Sequence, residues 1–307
     1  MKNTDWTNNP PYNFFFDFIS DNADRYAILL KCIDTLKLNS TVIPIEGNRH
    51  IFIFPQGQKS PHAGGAFPFS GGSPFLLSAH YDRVEGSPGA NDNSIAVFQL
   101  LNAAMIFGQK RIGNWMIVFT DKEEIAAGES LEEQGSYSLA EKLRLWGLER
   151  SRIYNFDVCG AGNVFIFSTI TEDILKHSEL ASISKVRSSV KSLRDHALAT
   201  ADKLRMDKIM LAPTPFSDDV GFLRAGLAAQ TVTLLPADEA EKYSSLLRTR
   251  PDFVDLFISG KVKEQQESHN LPETWKSLNN ASDVPSRLTP QFFELVVKFA
   301  VGLVNYK

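Results

Sequence analysis

Along the first third of the chain the spacing of apolar residues changes character. Phe15, Phe18, Ile19, Tyr26, Leu29, Leu30 and Ile33 recur at helical intervals, which predicts an amphipathic helix over residues 12–36, with Pro10 and Pro11 at its start. Two β-prone runs, 41–45 and 50–54, flank Glu46-Gly47-Asn48 and predict a hairpin. Residues 56–74 are rich in Gly, Ser and Pro and read as a loop. Beyond them, short apolar runs alternate with helical patterns. Strands are expected at 75–79, 115–119, 153–156, 164–167 and 228–235. Helices are expected at 94–107, 136–146, 172–204 and 290–304. This alternation predicts an α/β fold with three layers: a largely parallel, mixed sheet with helices on both faces. No internal repeat or linker interrupts it, so residues 1–307 read as a single domain with an N-terminal helix and hairpin.

Composition narrows the function classes. The chain has 307 residues, 43% of them hydrophobic, with 22 Phe and 4 Trp. That is enough apolar surface to exclude disorder as the main state. The net charge of −4, with no long Lys/Arg run, argues against a nucleic-acid partner. No apolar stretch reaches the roughly 18 residues of a membrane span. Asn, Asp and Pro break the N-terminus where a signal peptide would need an apolar run. A cytoplasmic location and no membrane partner are the expectations. Cys32 and Cys159 stand far apart and read as lone buried thiols.

Sites in such sheets form in loops past the carboxyl ends of strands. Those loops carry His80-Tyr81-Asp82, then Gly89-Ala90-Asn91-Asp92-Asn93, then Asp121-Lys122-Glu123-Glu124, then Asp157-Val158-Cys159-Gly160. Taken singly, Asp92 reads as a helix cap and Glu123-Glu124 as surface charge. Four such loops at one sheet edge point instead to a divalent metal site. Imidazole and carboxylates are zinc ligands. Asp82, two residues past His80, is placed to orient the imidazole. Asp92 has two oxygens with which to bridge two metals. Of the adjacent glutamates, one can bind metal while the other serves as general base.

These motifs, with Gly135-Ser136, Ser217-Asp218, Phe222, Gly226, Asp283 and Leu288-Thr289-Pro290, resemble the co-catalytic zinc aminopeptidase family that also contains the glutaminyl cyclases. The likeness runs from about residue 40 onward. It implies a zinc exopeptidase-like fold and one zinc on His80, Asp92 and Asp157. It further implies a second zinc shared by Asp92 and Glu124, Glu123 as catalytic base beside Asp82, and a cis peptide at Asp92-Asn93. The implied activity is hydrolysis of an N-terminal peptide bond through a metal-activated water, on a peptide or small amide substrate. Glutaminyl cyclisation, or a non-catalytic binding role on a peptidase scaffold, are the alternatives.

The chain departs from the family at two places. Asn279 stands where the last ligand, a His, is expected four residues before Asp283. Three arrangements follow: one metal; two, with Asn279 or water completing the second; or His269 supplied from the loose motif copy at 269–273. Asp219 replaces another His, and is expected to be exposed or to capture a substrate's amino terminus. The acidic segment 125–134 is read as a surface loop or a cover over the cleft. Nothing in the sequence specifies an oligomeric state.

Overall fold

The structure is a computed structural model that describes residues 6–58, 73–126, 128–176, 183–259, 262 and 267–306. The chain runs through α1 (Phe15–Phe18), α2 (Arg25–Thr35), β1 (Asn39–Ile45), β2 (Asn48–Phe54), β3 (Phe75–His80), α3 (Ile95–Gln109) and β4 (Trp115–Thr120). It continues through α4 (Gly135–Leu145), β5 (Arg152–Phe156), β6 (Val164–Ser168), α5 (Ile170–Lys176), α6 (Ile183–Lys203), β7 (Ile209–Ala212) and α7 (Asp218–Arg224). The last elements are β8 (Ala229–Leu235), α8 (Ala237–Thr249), α9 (Phe253–Ile258), α10 (Glu273–Lys276) and α11 (Phe293–Asn305). Among the described residues the strands form one sheet in the order β1-β2-β4-β3-β5-β8-β6-β7.

The four middle strands, β4, β3, β5 and β8, are parallel. The hairpin joins β4 antiparallel, and β6 turns back against β8 before pairing in parallel with β7. The middle strands are buried on both faces, and successive side chains point to opposite sides. Phe75, Leu77 and Ala79 of β3, with Ile117 and Phe119 of β4, pack under α2, α3, α6 and α11. Leu76, Met116 and Val118 face the other way, against Leu139, Ala140 and Leu143 of α4 and Phe222 of α7. The expected three-layer α/β arrangement with a largely parallel mixed sheet is what forms. A third cluster joins Ile166 and Leu235 to Tyr243 of α8, Phe253 of α9 and Trp275 of α10.

Several expected elements differ. The predicted helix over 12–36 is a short turn, α1, a break and then α2. The polar run Ser20–Asp24 causes the break: the Asp24 carboxylate accepts from the Ala27 amide at 3.0 Å and caps a new helix. The helix expected at 172–204 is seen as α5 and α6, and residues 177–182 lie outside the described ones, as do 59–72 of the expected loop. β7, α7, α9 and α10 are not expected from the pattern because they are short; α8 is not expected either, although its 13 residues are amphipathic. Cys32 and Cys159 are buried and free, as expected. Among the described residues no helix is long and apolar enough to cross a membrane.

Candidate metal centre

Parallel pairing sets the ends of β3, β4 and β5 side by side. His80 is opposite Thr120, and Ser78 is opposite Asn155, so the loops after all three strands open at one edge. His80 closes β3, fully buried. Its Nε2 lies 3.1 Å from Asp92 Oδ1 and 3.5 Å from Asp157 Oδ1. Its Nδ1 lies 3.4 Å from Asp82 Oδ1. Asp82 Oδ2 in turn accepts from the Glu124 amide at 3.0 Å. The sequence-predicted residues His80, Asp82, Asp92, Glu123, Glu124 and Asp157 are thus gathered at one place.

Asp92 sits in the turn Ala90–Ser94 that enters α3, and its bond to Asn93 is cis, as the family likeness implied. The amides of Asn91 and Asp92 each donate to one oxygen of Asp283, both at 2.9 Å. The flanking side chains tie this turn to the loop after β5: Asn93 Nδ2 donates to the Phe156 carbonyl (2.8 Å), and Asn91 Oδ1 accepts from the Gly160 amide (2.7 Å). The Asp157 amide donates to the Val232 carbonyl of β8 at 3.1 Å.

Glu123 is buried, and Gln134 orients it, donating to Oε1 at 3.0 Å and to the Glu123 carbonyl at 3.1 Å. Ser136 donates to Gln134 Oε1, which fixes the amide the right way round. Gly135 between them is required by space: a Cβ there would stand 1.9 Å from the Asp121 carbonyl. Sequence reasoning missed Gln134.

Burial alone would push the His80 imidazole down, but the carboxylates of Asp157, Asp82 and Asp92 hold it well above its ordinary value. Burial, together with the charges of Glu124, Asp157 and Asp218, pushes the Glu123 carboxyl well up against the pull of His80. Burial and the facing Asp92 raise Glu124 to about 8. Asp82 is the exception: despite its burial, His80 and the backbone amides of Glu124 and Glu123 hold it below its usual value.

Buried polar atoms are normally hydrogen-bonded. Here both ring nitrogens of His80, with Asp82 Oδ1 and Asp157 Oδ1, make no hydrogen bond among the described residues. Ligand atoms of His80, Asp92 and Asp157 lie within 4.8 Å of one another, as do those of His80, Glu123 and Glu124. One imidazole nitrogen and two carboxylate oxygens around an open position are a donor set that suits zinc. The residues therefore fit the ion.

A cavity of about 250 Å³ opens over this cluster. Asp92, Glu123, Glu124 and Asp157 line it, facing Ile125, Leu131, Pro215, Phe216, Leu278 and Asn279. Asn279 does reach the cleft, on a backbone at φ 60°. His269 does not: it is exposed in the turn Glu267–Asn270, away from the lining. Segment 125–134 borders the cavity through Ile125, Leu131 and Gln134, while Glu132 and Glu133 stay exposed. Glu129 is drawn aside, accepting from the Ala126 amide and pairing with Lys122 at 3.5 Å.

Asp219 is the clear correction. It is neither exposed nor in the cleft, but buried in the first turn of α7. Neighbouring positions on a helix point about 100° apart. Asp218 turns to accept from Thr120 Oγ1 at 2.6 Å, while both oxygens of Asp219 lack a hydrogen-bond donor among the described residues.

A family model described as peptidase family M28 matches residues 68–268. The chain belongs to peptidase family M28. Solved structures share its fold. A zinc aminopeptidase from Bacillus subtilis, BSAP, is 18% identical with a TM-score of 0.52, over 83% of this chain and 49% of that one. This chain thus spans about half the length of that relative. Porphyromonas gingivalis glutaminyl cyclase is 16% identical with a TM-score of 0.61, over 96% of each chain. A Zn-dependent exopeptidase from Parabacteroides distasonis is 13% identical with a TM-score of 0.58, over 95% of this chain and 94% of that one. Among curated proteins no sequence matches. Asp283 and Arg25 lie outside the matched segment.

Proposed function

We propose that this M28 member is a zinc-dependent exopeptidase of the aminopeptidase type, with one zinc held by His80, Asp92 and Asp157. The observation that carries this reading is the convergence of His80 Nε2 on two carboxylate oxygens with no hydrogen bond made between them. Zinc bound there would supply a Lewis acid toward the scissile carbonyl and lower the pKa of an attacking water.

The chain's own residues do the rest. Asp82, behind Nδ1, holds the imidazole with its other nitrogen toward the site. Glu123 takes the proton from the attacking water and passes it to the leaving amine. The Gln134 contact holds one Glu123 oxygen and leaves the second for the proton. The acidic wall suits the ammonium of a free amino terminus. Ile125, Leu131, Pro215, Phe216 and Leu278 provide apolar walls for the first side chain.

Asn279 favours a single ion, because a neutral amide oxygen is a poorer zinc ligand than imidazole. Glu124 is then free to bind the amino terminus.

The test is Glu123→Gln. Zinc content should stay at one per chain while turnover with aminoacyl-anilide and short peptide substrates falls by about 10²–10⁴-fold. Retained turnover would remove Glu123 from the base role. Ammonia release from glutamine-led peptides with no new amino terminus would replace hydrolysis by cyclisation.

A further inference from the structure

Arg25 opens α2 and is almost fully buried, only 6% exposed. Its guanidinium fork is divided between two segments. Nη1 donates to the carbonyls of Tyr81 (3.0 Å) and Asp82 (2.7 Å). Nη2 donates to the carbonyls of Pro88 (3.3 Å) and Gly89 (3.1 Å) and to Ser94 Oγ. Nε donates to the Phe18 carbonyl at 3.3 Å, and the Phe18 ring lies 4.5 Å beneath the guanidinium carbon.

The first segment follows His80 and contains Asp82. The second encloses Asp92. Gly89, at φ 61°, permits the approach: a Cβ there would stand 2.9 Å from Arg25 Nη2 and 2.7 Å from the Asp92 carbonyl. Arg83 locks the same corner from the opposite direction, donating to the carbonyls of Ile19 and Pro88 (both 3.1 Å) and of Ser20 (2.7 Å).

A buried guanidinium is costly unless its donors are satisfied. Every partner of Arg25 is an acceptor, which only the protonated fork can serve. Burial and the neighbouring Arg83 draw the Arg25 guanidinium down to about 9, against the pull of the Asp82, Asp92 and Asp283 carboxylates.

We infer that Arg25 is a positioning residue of the metal centre: it clamps the loop that holds His80 and Asp82 to the loop that holds Asp92, and so sets their spacing for the ion. This rests on the zinc reading above. No atom of Arg25 is placed at the reacting groups; it acts through the two loops. The fork matters as much as the charge, because a single ammonium cannot serve both loops with the same geometry.

The experiment measures zinc affinity by competition with a chromogenic chelator, alongside amide exchange by mass spectrometry. The parent chain is compared with Arg25→Lys and Arg25→Ala. Clamping predicts zinc affinity lower by about 10–100-fold in Arg25→Ala, with a smaller loss in Arg25→Lys. Added guanidinium ion should restore affinity to Arg25→Ala, and methylammonium should not. Exchange should rise in peptides covering residues 81–94 ahead of the rest of the sheet. Parent-like zinc affinity in a folded variant would overturn the inference. So would exchange that rises uniformly, the mark of a merely structural role. If Arg25→Ala does not fold, Arg25→Lys decides by the same two readouts. If the parent itself takes up no zinc, the zinc reading fails, and exchange over 81–94 alone decides whether Arg25 clamps the loops.

Discussion

On the side of the cleft nearest β3 and β5, each candidate ligand has a group behind it. His80 has Asp82 at its Nδ1, Asp92 hangs from amides gripped by Asp283, and the Asp157 amide is bonded to β8. On the side of Glu124 and Asn279 the support thins out. Glu124, like Asp92 and Asp157, is held through its amide, so the thinning falls on Asn279. Asn279 is exposed, and its side chain makes no hydrogen bond among the described residues. The well-supported side is also the side that keeps its imidazole. Metal affinity depends on ligand orientation as much as on ligand identity, so the two sides are expected to differ in occupancy even though they share Asp92.

The strongest test of that contrast pairs His80→Ala with Glu124→Gln. His80→Ala should abolish zinc binding as read by elemental analysis. Glu124→Gln should leave one zinc per chain. Equal losses in the two would erase the distinction. Next in size is Asp283→Asn, which weakens the acceptor for the Asn91 and Asp92 amides. Zinc affinity should fall by about 10–100-fold, the usual effect of removing a group that orients a ligand, and unchanged affinity would mean that the turn holds itself. Asn279→His should then raise the stoichiometry at saturating zinc from one to two, the added ion binding more weakly than the first. A stoichiometry still at one would locate the weakness of that side in its missing support rather than its missing imidazole.

The smallest expected effect is on pH. Burial raises Asp218 to about 6 and Asp219 to about 7. The folded chain then keeps protons that an unfolded chain has released. The stability these groups contribute is full below about pH 4 and is lost as pH rises through 6 and 7. Zinc-stripped protein should melt a few degrees lower at about pH 8 than at about pH 5, and Asp219→Asn should flatten that slope. A melting temperature that rises over this interval would contradict the burial of both carboxylates.

The candidate ligand residues were legible as a cluster because each follows a short apolar run, and a parallel sheet brings the ends of such runs together. Asp219 was misplaced because sequence gives adjacency but not direction; one helical step sends it into the interior while Asp218 meets Thr120. His269 was a plausible spare because a motif copy says nothing about where its loop goes. Arg25 was overlooked, yet it left a trace. It shares a helical stripe with Leu29, Cys32 and Ile33, all buried. A guanidinium on an otherwise apolar stripe signals a buried network. Gln134 left none, since a lone amide in an acidic loop has no pattern to break.

The grip of Asp283 on Asn91 spans 192 residues of chain. A ribosome that has just finished β8 has already delivered His80, Asp92, Glu123 and Asp157, but not the carboxylate that holds the Asp92 turn. Synthesis order thus becomes a form of timing: the candidate ligands are all made before the turn that carries Asp92 can be held in place.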